Sequence, residues 1–438
     1  MNRIAALRRL IYFFCLAATL FAVATSSSNA AVEEPTFAGP AQGTTYRVRL
    51  GEPLDVPALS AVRGEIDAIL AGVDRQMSRY HSDTEVSQFN RSRSTDWLAV
   101  SPDLAAVVRA AIAIHDRSGG TFDITVAPLV DLWGFGPRGG MGHVPPADEI
   151  ARVRHSVGSE LIAVRVDPPA LRKTRPEVAL DLNGIAPGFA VDRIARALER
   201  RGVTNYLIRL DGHIRARGHA FDGRPWRVGI DRPTEIPSGV QLALEPGDAA
   251  LSTSGDYRHY FLQDGHRYSH IIDPRTGRPI AHAATSVSIV AGDCLTADAW
   301  AKALMVLGPI DGVRLANERG IAAYYVVRRA GEGGETRETD FRAIASREFA
   351  RRFFSAGLGL DHDALRPTAT EAVEPPTANQ ERLAGAIHIA SLRWTTLAIV
   401  VAFAIAAALV AWRRRSGPAA SATESRCTAS PKRKRGSH

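Results

Sequence analysis

The chain has little cysteine: three of its 438 residues are cysteines. Cys15 and Cys427 lie near the two ends, and Cys294 lies alone in the body between them. A disulfide within the body is therefore excluded, and three such widely separated residues also exclude a zinc site built on cysteine. The body must be stabilised by burial of apolar side chains, which a chain of this length can supply.

Away from its two ends, the chain also lacks an excess of positive charge. The net charge is +8; residues 1–30 carry +3 and residues 413–438 carry +7, which leaves −2 for residues 31–412. A nearly neutral body does not support a basic groove, so we predict no nucleic-acid partner. The apolar fraction of 45% and the charged fraction of 23% are those of a globular protein.

The beginning of the chain indicates export. Residues 1–30 contain three arginines, then an apolar run over residues 10–24, and then small residues that suit cleavage. This order is typical of a signal peptide, and the alternative is an uncleaved anchor. We therefore expect the body to lie outside the cytoplasm, in the periplasm of a bacterium.

The end of the chain indicates attachment to a membrane. A transmembrane helix is predicted over residues 392–412, because residues 394–412 are uncharged and three arginines follow them. The alternative is a buried core helix. Residues 356–391, rich in proline, threonine and alanine, are predicted to be a linker, and residues 413–438 a basic cytoplasmic tail. Together these segments predict an inner-membrane protein.

Strand and helix patterns are mixed along the body without the regular βαβ rhythm of a doubly wound sheet, which favours an α+β fold. Alternating or short apolar runs predict strands at residues 43–50, 178–182 and 206–210. Apolar residues at helical spacing predict helices at residues 62–77, 104–115, 190–201 and 297–307, the last beginning just after Asp293.

Residues 121–137 follow neither of these patterns. They place Asp123 and Thr125 two positions apart and continue into a Trp-Gly-Phe-Gly-Pro turn. A core strand would alternate, and a core helix would repeat apolar residues every three or four positions. We therefore interpret this segment as the wall of a pocket.

Three further segments are consistent with a ligand-binding site, but each also has an alternative interpretation without a ligand. Residues 181–192 predict a strand, a glycine-bearing turn and a helix. This pattern is typical of an anion-binding helix N-terminus and equally typical of an ordinary capped helix. Residues 253–257 and 270–277 gather hydroxyls, carboxylates, a histidine and an arginine, and the alternative is a polar hairpin. Asp298 lies near the predicted start of a helix. Its carboxylate is a suitable ligand for a hard cation, and the alternative is an ordinary acidic residue that stabilises the helix through its dipole.

Together these segments resemble the ApbE-type flavin transferases, the FAD:protein FMN transferases, over roughly residues 38–350. The matching blocks, in order, are residues 43–46, 77–80 with Glu85 and residues 89–90, 121–137, 181–192, 251–257, 270–277, and 296–298 with 303–308. The resemblance implies a T-fold-related α+β body over residues 36–355, with mixed sheets and packed helices. It also implies FAD as substrate, Mg²⁺, and transfer of FMN to a threonine or serine hydroxyl of a partner with release of AMP. The implied partner is a flavin-accepting redox or respiratory membrane protein.

The resemblance also implies roles for individual residues. His270 would be the general base, with Asp273 and Arg275 shaping its catalytic loop. The carbonyl of Gly184 and the carboxylate of Asp298 would hold magnesium. The implied cofactor-binding residues are Tyr80, Thr121, Phe122, Asp123, Asp181, Pro187 and Ile272.

Two departures from the family pattern affect charge near the phosphates. Lys302 stands at the metal site where the family usually has a threonine, and an ammonium repels magnesium unless it supplies the positive charge itself. Pro187 replaces a lysine of the glycine turn. Two hypotheses follow: an active membrane-tethered transferase with an altered metal site, or a flavin-binding carrier or assembly factor whose transfer activity is weak or lost.

Overall fold

The structure, a computed structural model, describes residues 34–140, 142–234, 239–257, 259–328 and 341–354. The predicted signal peptide, linker, transmembrane helix and tail lie outside these residues. None of the helices within the described ranges is long and apolar enough to span a membrane.

Most of the strands belong to one antiparallel sheet. The described strands are β1 (Thr36–Ala41), β2 (Thr44–Leu50), β3 (Leu98–Ala99), β4 (Ile162–Val166), β5 (Pro169–Lys173), β6 (Tyr206–Leu210), β7 (His213–Arg217), β8 (Val228–Asp231), β9 (Val240–Leu244), β10 (Ala250–Gly255), β11 (Tyr260–Gln263), β12 (His266–Ser269), β13 (Ile272–Asp273), β14 (Arg278–Pro279), β15 (Ala284–Ala291), β16 (Ala322–Arg328) and β17 (Phe341–Ala345). The main sheet has the order β1-β2-β6-β7-β10-β15-β16-β17, and smaller sheets are β3-β5-β4, β8-β9, β11-β12 and β13-β14. The α+β class is confirmed. The expected mixed sheets need one correction: each pairing between described strands is antiparallel.

The helices pack on one another, on the main sheet and on the small β3-β5-β4 sheet. They are α1 (Val56–Met77), α2 (Glu85–Arg91), α3 (Pro102–Ser118), α4 (Ala127–Leu132), α5 (Ala147–Arg154), α6 (Ala186–Arg200), α7 (Cys294–Arg319) and α8 (Arg347–Phe353). Short 3₁₀ turns lie at Ile124–Val126 and Ser159–Leu161. The helices α6 and α7 pack on each other and on the central strands, and this contact positions the site.

The central strands bury side chains on both faces. Successive residues of a strand point to opposite sides of its sheet. In β16, Tyr325 belongs to the main core beneath α6 and α7, whereas Tyr324 and Val326 belong to a smaller core that includes Phe349 of α8. The body therefore has the apolar burial that the scarcity of cysteine requires.

The helix α7 begins and breaks where its sequence dictates. Oδ1 of Asp293 accepts a hydrogen bond from the backbone N–H of Thr296 at 2.8 Å and caps the first turn. The helix is broken at Gly308, whose φ of 78° is left-handed, and Pro309 follows. A Cβ at Gly308 would also lie 2.7 Å from His282. The helix predicted over residues 297–307 is thus confirmed up to this break.

The strand predicted over residues 178–182 is wrong. This segment is mostly buried but pairs with no described strand. The backbone N–H of Leu180 donates to Oδ1 of Asn90 at 2.7 Å, and that of Asp181 donates to the carbonyl oxygen of Ile124 at 2.6 Å. A buried segment can thus satisfy its backbone without joining a sheet, and its apolar pattern then looks like that of a strand.

Candidate active site

A cavity of about 1040 Å³ lies where the end of α1, the starts of α6 and α7, the β6–β7 turn and β10 meet. Its volume is at the upper end of the range for small-molecule sites, roughly 300–1,000 Å³. The segment 121–137 contributes one wall, as its unusual pattern predicted. The cavity is large enough for an extended cofactor.

Asp123 lies in this wall, but its carboxylate is occupied within the protein. Oδ1 accepts hydrogen bonds from the backbone N–H and hydroxyl of Thr125 at 2.8 and 2.6 Å, and from the hydroxyl of Ser159 at 3.1 Å. Oδ2 accepts from the backbone N–H of Ser159 at 3.0 Å and lies 3.2 Å from Nδ1 of His115. The hydrogen bond to Asp123 raises the pKa of His115. With its lone pairs used, this carboxylate holds the wall in shape.

Asp181 is likewise paired within the protein, by an arginine that the sequence analysis did not select. Nη1 of Arg79 donates to Oδ2 of Asp181 at 2.7 Å, and Nη2 donates to Oδ1 of Asp131 at 2.7 Å. The Arg79 side chain is 7% exposed. Oδ1 of Asp181 accepts from the backbone N–H of Asn183 at 2.9 Å. Arg79 therefore ties the end of α1 to the turn before α6, and only the fold places it between two acids.

Asp298 is buried in the first turns of α7, against the start of α6. The two helices approach closely because Gly188 has no side chain: a Cβ there would lie 2.4 Å from the carbonyl oxygen of Cys294. The backbone N–H of Gly188 donates to Oδ2 of Asp298 at 3.1 Å, whereas Oδ1 is buried without a hydrogen-bond partner. Burial raises the pKa of Asp298, and His213 and Lys302 oppose that shift. The Oδ1 atom is an acceptor still available to a ligand or cation.

Lys302 follows Asp298 by one helical turn and reaches across Gly184. A Cβ at Gly184 would lie 2.9 Å from Cγ and 3.7 Å from Cε of Lys302, so the lysine stem fills the space beside this glycine. The side chain lines the cavity and is half-buried. Burial lowers the pKa of Lys302, and the carboxylates of Asp298, Asp181 and Asp211 oppose that shift. The structure thus brings together the three residues predicted for the metal site.

His270, which follows β12, lines the same cavity and has a defined tautomer. Nδ1 lies 3.0 Å from the carbonyl oxygen of His259, which can only accept, so Nδ1 carries the proton and Nε2 keeps its lone pair. The rings of His259 and Phe135 pack edge-on against the imidazole. Burial, followed by the charge of Lys302, lowers the pKa of His270 to about 3. His270 is therefore a neutral base at neutral pH.

Asp273 and Arg275 do not line the cavity. Nε and Nη2 of Arg275 donate to Oδ1 and Oδ2 of Asp273 at 3.0 and 2.9 Å. The carbonyl oxygen of Asp273 accepts from the backbone N–H of Gly277 at 2.8 Å. This pair shapes the turn after His270 and does not reach the space where a ligand would lie.

The other residues predicted to bind cofactor all line the cavity. Tyr80 is 63% exposed, so its ring face is accessible, whereas Thr121, Phe122 and Ile272 are buried in the wall. Pro187 lies in the first turn of α6, where it removes a backbone N–H that could otherwise contact an anion.

Comparison with known proteins gives the family of the chain. The model of the ApbE family matches residues 42–325. The chain belongs to the ApbE family. FAD:protein FMN transferases of Vibrio cholerae and Escherichia coli K12 are 39% and 35% identical to it over 315 and 320 residues; each match covers 72% of this chain, and 94% and 91% of the two relatives.

Solved structures of the ApbE family share the fold. The flavin transferase ApbE from Vibrio cholerae has a TM-score of 0.65 at 39% identity, and covers 73% of this chain and 99% of its own. The flavinyl transferase ApbE of Pseudomonas stutzeri, in its apo form, has a TM-score of 0.66 at 38% identity, and covers 73% of this chain and 97% of its own. The resemblance found in the sequence is confirmed.

A divalent cation fits poorly at this ApbE-family site. Oδ1 of Asp298 and the carbonyl oxygen of Gly184 are donors that magnesium prefers. However, the ammonium of Lys302 cannot coordinate a cation and repels it. Across the part of the chain that the structure describes, no three His, Cys, Asp or Glu side chains form a group that could hold a metal.

Proposed function

We propose that this ApbE-family protein is an FAD:protein FMN transferase, which moves FMN from FAD to a threonine or serine hydroxyl of a partner protein. One observation carries the proposal: a neutral histidine with a free Nε2 lies in the same cavity as a lysine ammonium and an unpartnered carboxylate oxygen. Relatives that match most of this chain are named for the same activity.

The chemistry that these groups can perform is a substitution at phosphorus. The acceptor hydroxyl oxygen forms a bond to the phosphorus of the FMN half of FAD, and the bond from that phosphorus to the bridging oxygen breaks. AMP leaves with the bridging oxygen and its electron pair. Nε2 of His270 takes the hydroxyl proton, because it is the unprotonated ring nitrogen. Positive charge near the diphosphate lowers the barrier.

Magnesium, which the resemblance implies, has one carboxylate available at this position, that of Asp298, and an ammonium beside it. The proposed reaction therefore relies on the groups of the chain itself: Nε2 of His270 accepts the proton, and the ammonium of Lys302 supplies positive charge. Phe122 and Ile272 add buried apolar side chains to the cavity wall.

The protein is exported and anchored in the bacterial inner membrane, with its body in the periplasm. Support comes from the sequence: the arginine-led apolar segment within residues 1–30, and the uncharged residues 394–412 followed by three arginines. The body then meets acceptors at the membrane surface. The partner is a flavin-accepting redox or respiratory membrane protein.

The second candidate function is that of a flavin-binding carrier or assembly factor with little transfer activity. Lys302 favours it, because a cation-repelling group occupies the place where the resemblance implies a metal. Both functions require FAD binding, and they differ in whether a phosphoester is made.

The experiment is to incubate the full-length protein with FAD and bacterial membranes that contain redox proteins, then to image flavin fluorescence after a denaturing gel. Transfer gives a fluorescent band and an equal amount of AMP. His270→Gln should keep FAD binding and lose transfer by about 100-fold or more, because the proton acceptor is gone. The matched control is His266→Gln, since His266 is exposed on β12.

Three results distinguish the candidates. A band that depends on His270 supports the transferase. Saturable FAD binding without a band or AMP selects the carrier. A protein that does not bind FAD at all removes both functions.

A further inference from the structure

We infer that the ammonium of Lys302 takes the place of a divalent cation at the diphosphate of FAD, so that this protein binds FAD and transfers FMN without a metal. The inference rests on the proposed function and concerns the same cavity. It assigns Lys302 a direct role as a catalytic residue that contacts the substrate.

The first support is the position of the lysine. It lies four residues after Asp298 on α7, so the two side chains share one face of the helix. Its stem runs along Gly184, with Cγ at 2.9 Å and Cε at 3.7 Å from the point where a Cβ would be. A larger residue in place of Gly184 would displace the lysine. The glycine turn is therefore built around this side chain.

The second support is the balance of charge. Asp181 is already neutralised by Arg79 at 2.7 Å, whereas Asp298 has a buried oxygen with no partner. A diphosphate with two negative charges would be repelled by that carboxylate unless a cation lies between them. Lys302 interacts electrostatically with Asp298 and lines the cavity, so its ammonium can bridge the carboxylate and the diphosphate.

The third support is the chemistry of the donors. Magnesium requires near-octahedral oxygen coordination at roughly 2.0–2.1 Å, usually with one or two carboxylates. Here the charged side chain of Lys302 lines the same cavity as Asp298 and interacts electrostatically with its carboxylate. A lysine carries three N–H donors on a flexible stem and binds phosphate as a point charge. The donor set therefore suits a phosphate oxygen better than a metal ion.

In the transfer step, Lys302 acts at the leaving group. The bond between the FMN phosphorus and the bridging oxygen breaks as the acceptor oxygen bonds to that phosphorus. The electron pair remains on the bridging oxygen of AMP, where the ammonium stabilises the developing negative charge. The hydroxyl proton goes to Nε2 of His270, so atoms and charge balance without a metal ion.

The test measures FAD affinity, by quenching of flavin fluorescence, in EDTA and in excess Mg²⁺. The wild-type full chain should bind FAD equally in both, within about twofold. Lys302→Thr should bind FAD about tenfold more weakly in EDTA, equal to about 1.4 kcal/mol. Mg²⁺ should restore that affinity, because removal of the ammonium leaves oxygen donors beside Asp298. Calorimetric titration should detect Mg²⁺ binding to Lys302→Thr with FAD and none to the wild type.

Two further variants keep the test interpretable. Arg319→Thr makes the same change of charge at an exposed position of the same helix, and should behave as the wild type. Lys302→Met keeps the stem and removes the charge, so it should lose affinity in EDTA even if the threonine variant folds poorly. Thermal unfolding of each variant reports folding independently of FAD.

The inference is overturned if Mg²⁺ tightens FAD binding to the wild type tenfold, or if Lys302→Met binds FAD as well as the wild type in EDTA. Either result leaves the transferase function intact, with a metal at Asp298 or with charge from elsewhere. A wild type that binds no FAD under either condition would instead remove the proposed function, and the inference with it.

Discussion

The charged groups that line the cavity form two sets, which differ in whether their polar atoms already have partners. In one set, which we call the paired wall, Asp123 accepts four hydrogen bonds and lies beside His115, and Asp181 is bound by Arg79. Each carboxylate of this set has partners within the protein. The paired wall is therefore complete before any ligand arrives.

In the other set, which we call the open wall, polar atoms remain available to a ligand. Oδ1 of Asp298 is buried without a partner, Nε2 of His270 keeps its lone pair, and Lys302 lines the cavity beside them. Unsatisfied buried groups cost stability, so a fold keeps them where function requires them. The comparison separates residues that build the site from residues that act in it.

The largest expected effect is a loss in the free energy of unfolding when a carboxylate of the paired wall is removed. Asp123→Ala should lower the free energy of unfolding by about 3–5 kcal/mol, because it strands the donors of Thr125 and Ser159 in a buried site. Urea unfolding followed by circular dichroism measures the loss. The control is Asp222→Ala, since Asp222 is exposed and pairs with the neighbouring Arg224, and its unfolding curve should not move. A loss below about 1 kcal/mol for Asp123→Ala would break the distinction between the walls.

A smaller effect is expected at Tyr80, which follows Arg79 of the paired wall but has an exposed ring. Tyr80→Ala should weaken FAD binding about tenfold, because stacking of an aromatic ring on a base contributes roughly 1–3 kcal/mol. Tyr80→Phe keeps the ring face and should bind as the wild type. Fluorescence titration measures both. Equal affinity for the alanine variant would show that Tyr80 does not contact the flavin, and the accessible surface would then be confined to the open wall.

The smallest expected effect is a near-absence of change with pH. Because the pKa of His270 is lowered from 6.5 to about 3, its base form persists on acidification, and kcat/KM should fall less than about twofold between pH 7 and pH 5. A histidine with the ordinary pKa would lose about 25-fold over this range. A fall in kcat/KM with an apparent pKa near 6.5 would show that His270 is exposed to water, and would contradict its assignment to the open wall.

Unfolding in the same buffers is the control for this pH profile. The unfolded state binds the His270 proton more tightly than the folded state, so this residue makes the protein less stable as the pH falls below 6.5. Activity must therefore be compared only where the folded fraction is constant.

Sequence patterns predicted helices and strands most reliably where an element buries only one of its faces. The strands predicted at residues 43–50 and 206–210 are β2 and β6, and the helix predicted at residues 62–77 is the buried part of α1. The helix begins earlier than predicted, at Val56, because Asp55 caps it. The strand prediction for residues 178–182 was wrong, since a segment that is buried on all sides has a strand-like apolar pattern even where no neighbouring strand exists.

Within the site, the sequence predicted types of residue better than it predicted roles. Asp123 was expected to line the pocket and Asp181 to contact the bound nucleotide, and both line the cavity. Their carboxylates are also hydrogen-bonded within the protein, which the sequence did not predict. Arg79 belongs to the matching block of residues 77–80, but the sequence analysis assigned it no role, because its burial between two acids depends on how α1 meets the turn before α6. Asp273 and Arg275 form a local pair that shapes the loop of His270.

The sequence by itself determined which chemical groups the chain carries, their order, and the local elements that follow from short-range periodicity, capping and turn residues. The tertiary structure decided which of those groups bond to one another and which remain available to a ligand. Hydrogen bonding and burial depend on three-dimensional neighbours: Asp298 and Lys302 lie one turn apart on α7, but Gly188 meets Asp298 only because α6 and α7 pack closely. That packing leaves one oxygen of a buried carboxylate without a partner beside a lysine.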